Sequence, residues 1–135
     1  MRKAQFLLPR AEGDPEDAEI GVFHFPAGGG SAQANIDRWV SQIAQPDGSP
    51  SSERAKVARR QVRSMPVTVV DVSGRYVAPL FPGSPDRCDK PDFRLLAAVI
   101  ESSSGPWFVK LVGPARTVER WAASFQAYVD SARSQ

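Results

Sequence analysis

The residues in this chain that could do chemistry are one histidine, one cysteine, a triple glycine and a few isolated charges. Their spacing excludes more than it supports. A Ser–His–Asp triad would have to use His24, the only imidazole. That residue falls inside EIGVFHF (19–25), a run of strand-forming residues, and no GxSxG elbow occurs anywhere. His24 therefore reads as a packed histidine. One His and one Cys cannot close a tetrahedral zinc shell of nitrogen and sulfur. Gly28, Gly29 and Gly30 precede Ser31, but a P-loop needs a lysine beside its last glycine, and none follows until Lys56. A dinucleotide fingerprint would need a third spaced glycine where Gln33 stands. What survives is a turn, plus the general capacity of a helix N-terminus to hold an anion. Gly29, Gly30 and Ser31 are thus binding candidates, with Asn35 and Arg38 on the helix that follows.

Asp71 interrupts the apolar run VTVVDVS (67–73). An unpaired buried carboxylate is expensive, so a partner is expected, and Arg38 and Arg75 are the candidates. Tyr76 closes the same run and joins the candidate surface. Five acids in residues 12–19 lack the DxDxDG spacing of a calcium loop and read as a solvated loop. Nothing pairs two carboxylates for glycoside hydrolysis. Five bases in residues 54–63 have no interleaved aromatic on which a nucleobase could stack. A charged edge strand that resists unwanted pairing is the simpler reading, and no nucleic-acid partner is expected.

These residues need elements to position them. Ala4–Leu8 and Glu19–Phe25 read as strands, the second with Ile20, Val22 and His24 on one face and Phe23 and Phe25 on the other. Ile36, Trp39, Val40 and Ile43 then repeat at helical spacing, with Ser31 or Asn35 as N-cap and Pro46-Asp47-Gly48 as the stop. Lys56–Val62 reads as a strand joined through a Ser64-Met65 turn to Pro66–Ser73. Four prolines make residues 76–92 an irregular excursion. Phe93–Glu101 and Pro106–Val112 flank a polar, glycine-ended connection and predict a hairpin, apolar on both faces and so covered on both sides. After Gly113-Pro114, a stripe of Val118, Trp121, Phe125, Val129 and Ala132, widened by Ala122 and Tyr128, predicts the last helix. Truncating a buried Trp121 or Phe125 to alanine is expected to cost about 3–5 kcal/mol.

Strands that meander, with two helices between and after them, predict an α+β fold: a mostly antiparallel sheet of about six strands with two amphipathic helices packed on it. The chain's 135 residues suit one such domain, residues 1–135. No apolar run reaches the length of a membrane helix. The start of the chain shows no export leader, so a cytoplasmic location is the default expectation and an envelope lipoprotein the alternative if a leader was removed. The lone Cys88 allows no internal disulfide.

Three stretches together, GGGSAQANIDRW, VTVVDVSGRY and RLLAAVIESSSGPWFVKLVGPARTVERWAASFQAYVDS, resemble a group of small uncharacterised bacterial domains. The element order resembles the PsbP-like fold, an α/β/α sandwich shared by a photosystem extrinsic subunit and a Ran-GTPase-binding nuclear import factor. That resemblance implies binding or assembly in place of catalysis, by analogy of fold. The expectation is a non-enzymatic, protein-binding or envelope assembly domain without a cofactor, a monomer or weak dimer. Its candidate surface is Gly29, Gly30, Ser31, Asn35, Arg38, Asp71 and Tyr76. The alternative is a small-molecule or anion site using the 28–31 turn and the gap between sheet and helix, with a concavity of roughly 300–1,000 Å³. A hydrolase built on Asp71 or His24 is the third reading.

Overall fold

A computed structural model of the chain describes residues 2–24, 32–79, 83–102 and 105–132. The strands are β1 (Arg2–Leu8), β2 (Ala18–His24), β3 (Ile43–Ala44), β4 (Lys56–Val62), β5 (Met65–Tyr76), β6 (Lys90–Ser102) and β7 (Gly105–Pro114). The helices are α1 (Ala32–Val40) and α2 (Ala115–Asp130), with a single 3-10 turn at Ser51–Glu53. The strands form one antiparallel sheet in the order β1-β2-β7-β6-β5-β3, with β4 sharing the outer side of β5. The fold is the expected α+β arrangement. The strand beyond the expected six is β3, only two residues long.

Period two decides which residues meet which helix. In β6, Leu96, Ala98 and Ile100 face α2, packing with Val67, Val69, Val109, Leu111, Val118, Phe125 and Val129. The alternate residues Leu95, Ala97 and Val99 face α1, packing with Val70, Val72, Phe108, Ile36, Trp39 and Val40. Each face of the sheet therefore has its own core, which is why β6 is apolar on both sides. The α2 stripe is confirmed, with two differences. Tyr128 stays exposed, and Trp121 is only partly buried, its indole N–H donating to the Pro9 carbonyl at 3.0 Å. Gly113 lies where β7 passes the start of β2. A Cβ there would stand 2.6 Å from the Ala18 Cβ and 2.7 Å from its Cα, so only glycine permits this approach.

Two boundaries differ from expectation. Helix α1 ends at Val40, five residues before Gln45, and Ile43 joins the same core from β3. The chain turns at Ser41-Gln42, whose N–H groups reach Asp37 and Trp39 carbonyls at 3.0 Å each. The β4–β5 turn is Arg63-Ser64, both at positive φ (49° and 73°), one residue earlier than expected. Two positive values in a two-residue loop match the twist of the flanking strands. The Arg63 guanidinium donates to the carbonyls of Asp130 and Ala132 at 3.1 Å each, at the end of α2. Arg60 pairs with Asp130 at 3.0 Å, so part of the basic run ties the edge strand to that helix.

The acidic loop is also not simply solvated. Asp17 binds Arg10 at 3.1 Å and Glu16 binds Lys90 at 2.9 Å. Asp14 accepts from the hydroxyl of buried Thr117, which in turn accepts from the Ala11 N–H at 3.0 Å. The loop thus lies against the first turn of α2, where negative charge is favoured. Among the described residues no helix is long and apolar enough to cross a membrane.

Candidate functional site

With nine residues, α1 is too short to cover its whole face of the sheet. Where it stops, Gly21 and Phe23 of β2, Tyr76 of β5, Phe93 of β6, and Lys110 and Val112 of β7 line a concavity of about 380 Å³. Leu7, Glu16, Asp17, Glu19 and Lys90 rim it. The Phe23 ring lies over Gly21, so close that a Cβ on Gly21 would meet it at 3.0 Å. Tyr76 and Phe93 stack at 5.6 Å between centroids, 10° from parallel.

Lys110 is the electrostatic centre of this surface. Its ammonium donates to the Gln42 side-chain oxygen at 2.7 Å and stands 6.0 Å from the centre of the Tyr76 ring. Burial pushes its pKa down to about 8, with repulsion from Arg38 adding to the effect and Glu19 opposing it. Burial likewise pushes the Tyr76 phenol up to about 12, helped by Cys88 and Glu19. The ammonium of Lys90 lies 5.7 Å from the Phe93 ring centre and pairs with Glu16. Glu19 accepts from the side-chain amide of Gln5.

The expected surface divides when it is placed on this frame. Gly28, Gly29, Gly30 and Ser31 lie outside the described residues. Asn35 is buried and accepts from the Arg38 guanidinium at 2.9 Å; of the two, Arg38 is close enough to Lys110 in the Tyr76 concavity to repel its ammonium. Asp71 is elsewhere, on the α2 face. Its expected partners are otherwise engaged, Arg38 with Asn35 and Arg75 with Asp89 at 2.6 Å. Arg94, the diagonal neighbour on β6 (Asp71 pairs with Leu96 and Arg94 with Ser73), donates to both carboxylate oxygens, at 2.9 and 2.7 Å. This bidentate pair, which holds the Arg94 guanidinium above its ordinary pKa, sits in a second cleft with Arg54, Lys56, Arg116 and Glu119. The sheet therefore separates Asp71 from Tyr76. His24 is buried and stacks on Trp107 at 4.2 Å, 17° from parallel, as a cross-strand pair.

Lys110 was missed by sequence reasoning, although a signal existed. It interrupts the apolar run PWFVKLVGP (106–114) just as Asp71 interrupts its own run. The ground under α1 is filled by Ile36, Trp39 and Val40, with the Trp39 ring edge-on to Phe108 at 5.7 Å. Open space lies beside the helix, in the concavity around Lys110 and in a second one of about 630 Å³ between α1 and residues 49–57.

The rim at Leu7 runs into the outer edge of the sheet. Among the described residues β1 pairs only with β2; after Arg2 and Lys3 at its start, its Ala4–Leu8 segment contains no charged residue. Phe6 is 53% exposed and Leu7 65%, on opposite faces of the strand. The other side of the sheet ends in β4, with Lys56, Arg59 and Arg60 along it.

No family model matches the chain, and no curated protein matches it. Among solved structures it is similar to the protein of unknown function PA94 from Pseudomonas aeruginosa, with 10% sequence identity and a TM-score of 0.61. The match covers 98% of this chain and 82% of that one. At this identity the likeness shows a shared fold and carries no activity with it.

Proposed function

We propose that the domain is a non-catalytic protein-binding module that takes an extended segment of a partner against the outer edge of β1, where no other described strand pairs. The single observation behind this reading is the asymmetry of the two sheet edges. Natural sheets guard their edges with charge; β4 carries it along its length, while β1 carries it only at its start, Arg2 and Lys3, and none from Ala4 to Leu8. An added strand would gain main-chain hydrogen bonds along β1 and side-chain contact on both faces. Because Phe6 and Leu7 point to opposite faces and both are exposed, the complementary segment has consecutive apolar residues, not alternating ones. A second copy is the weaker occupant: pairing two seven-residue strands falls far short of the roughly 1,200–2,000 Å² that a stable dimer buries. The resemblance to the PsbP-like fold, with its binding and assembly roles, points the same way.

The test is a selection of binders from a library of random octapeptides. The reading expects enriched sequences with consecutive apolar residues, and slowed amide exchange in β1 when they bind. Phe6→Lys and Leu7→Lys, both at exposed sites, should abolish binding without unfolding the protein. Peptides that protect α2 in place of β1, or that bind the lysine variants equally well, refute it. A concentration-dependent dimer that Leu7→Lys abolishes would assign the edge to a second copy.

A further inference from the structure

The lysines of this chain are not chemically alike. Lys56 is exposed, and Lys90 pairs with Glu16 at 2.9 Å. Lys110 shares with Phe108 the face of β7 that meets α1, and it lines the concavity beside that helix. Among the described residues it makes no ion pair. Its acceptor is neutral, the Gln42 side-chain oxygen at 2.7 Å.

The groups that face Lys110 come from four elements. Arg38 of α1 repels the ammonium and Glu19 of β2 attracts it. Tyr76 of β5 holds its ring centre 6.0 Å away, and Ala97 of β6, across the ladder, is apolar. Burial and the second cation outweigh Glu19, which is why the pKa falls to about 8. About a tenth of the amine is then unprotonated at pH 7. An ordinary exposed lysine holds roughly one part in 2,500.

An amine desolvated in a pocket beside another cation is a nucleophile for carbonyl carbon. The concavity of about 380 Å³ gives a small carbonyl compound room to reach it. The Phe23 ring already lies over Gly21, so the body of such a compound would lie along the stacked Tyr76 and Phe93 rings. Those rings suit an uncharged body, and Glu16, Asp17 and Glu19 at the rim would repel an anionic one.

We propose that Lys110 is a covalent capture site for an uncharged aromatic or apolar aldehyde, held as a reversible imine with its body along Tyr76 and Phe93. The unprotonated nitrogen adds to the carbonyl carbon. Its two hydrogens leave with the carbonyl oxygen as one water, and a C=N bond replaces C=O. The step needs no oxidant, reductant or third reactant, and water reverses it. The site is independent of the β1 edge: an added strand would lie beyond β1, with β2 between it and β7.

The test incubates the full chain with benzaldehyde at neutral pH and fixes any imine with cyanoborohydride. Peptide mapping by mass spectrometry then follows the benzyl group at each lysine. Lys110 should be labelled at least tenfold faster than Lys56 or Lys90. Glyoxylate, an anionic aldehyde, should lose most of that preference. Gln42→Glu puts a carboxylate in place of the neutral acceptor and should hold the ammonium charged. With circular dichroism showing the variant folded, it should slow labelling of Lys110 at least tenfold and leave Lys56 unchanged. Equal labelling of Lys56, Lys90 and Lys110 in the wild-type protein overturns the proposal without any variant. So does an equal preference with glyoxylate, or undiminished labelling of Lys110 in folded Gln42→Glu.

Discussion

Replacing Lys110 with methionine should make the protein more stable at neutral pH, and the gain should vanish in alkali. The wild-type ammonium is buried against Tyr76, and among the described residues the Gln42 amide oxygen is its one acceptor. Its pKa falls from the ordinary 10.5 to about 8 on folding. Between those values the unfolded chain holds a proton that the folded chain has released, so wild-type stability rises with pH across that window. Below about pH 8 the full penalty is present; above 10.5 it is gone. At about 1.4 kcal/mol per tenfold change in proton affinity, the gap amounts to about 3 kcal/mol. Methionine has nearly the same length and no charge, so the variant lacks this dependence. Its absolute gain at pH 7 will be smaller than 3 kcal/mol, because a hydrogen bond from a charged donor is lost, worth about 1.5–3 kcal/mol. The slope is therefore the decisive quantity. Urea unfolding of both proteins at several pH values from 7 to 10.5 measures it. The stability difference should shift by about 3 kcal/mol in favour of wild type across the window. Tyr76 titrates in both proteins: its raised folded value makes stability fall as pH climbs from 10 towards 12, and this cancels in the comparison. Parallel stability profiles for the two proteins would refute the reasoning, since they would mean that Lys110 is well solvated in the folded state.

Gly113→Ala should destabilise strongly, by about 1–3 kcal/mol or more, because the new methyl group would meet the Ala18 backbone at 2.7 Å; denaturant midpoints decide it. Ser64→Gly should stabilise by about 1 kcal/mol, since a residue at φ 73° gives up the steric cost of its Cβ, and a thermal melt reads the rise. Asp71→Ala should cost about 1–2 kcal/mol, between the values for exposed and buried ion pairs, and a double-mutant cycle with Arg94→Ala should return a coupling of similar size.

Much of the fold was legible because the code for it is local. A strand face repeats every second residue and a helix face every third or fourth, so Leu96-Ala98-Ile100 and Val118-Phe125-Val129 could be read without knowing what they touch. The two apolar faces of β6 announced a covering layer on each side for the same reason. Endings were less legible: Ile43 continues the helical spacing of α1 yet reaches the core from β3, since burial at one position can be satisfied by either conformation. Partners were the least legible. Asp71 advertised a need for a cation, but Arg94 answers it through the β5–β6 register, and thirteen arginines offered no sequence reason to choose that one.

The amino-acid order alone thus determined the element types, the two-faced sheet and the absence of several familiar catalytic motifs. Tertiary structure decided where the surface stays open. The concavity around Lys110 exists because α1 stops after nine residues while the sheet beneath it continues, and four strands distant in sequence bring Gly21, Tyr76, Phe93 and Lys110 to one place. Covering depends on the relative lengths of packed elements and on strand register. Both are set by which alternatives bury the most apolar surface in the whole chain, so no single segment contains them.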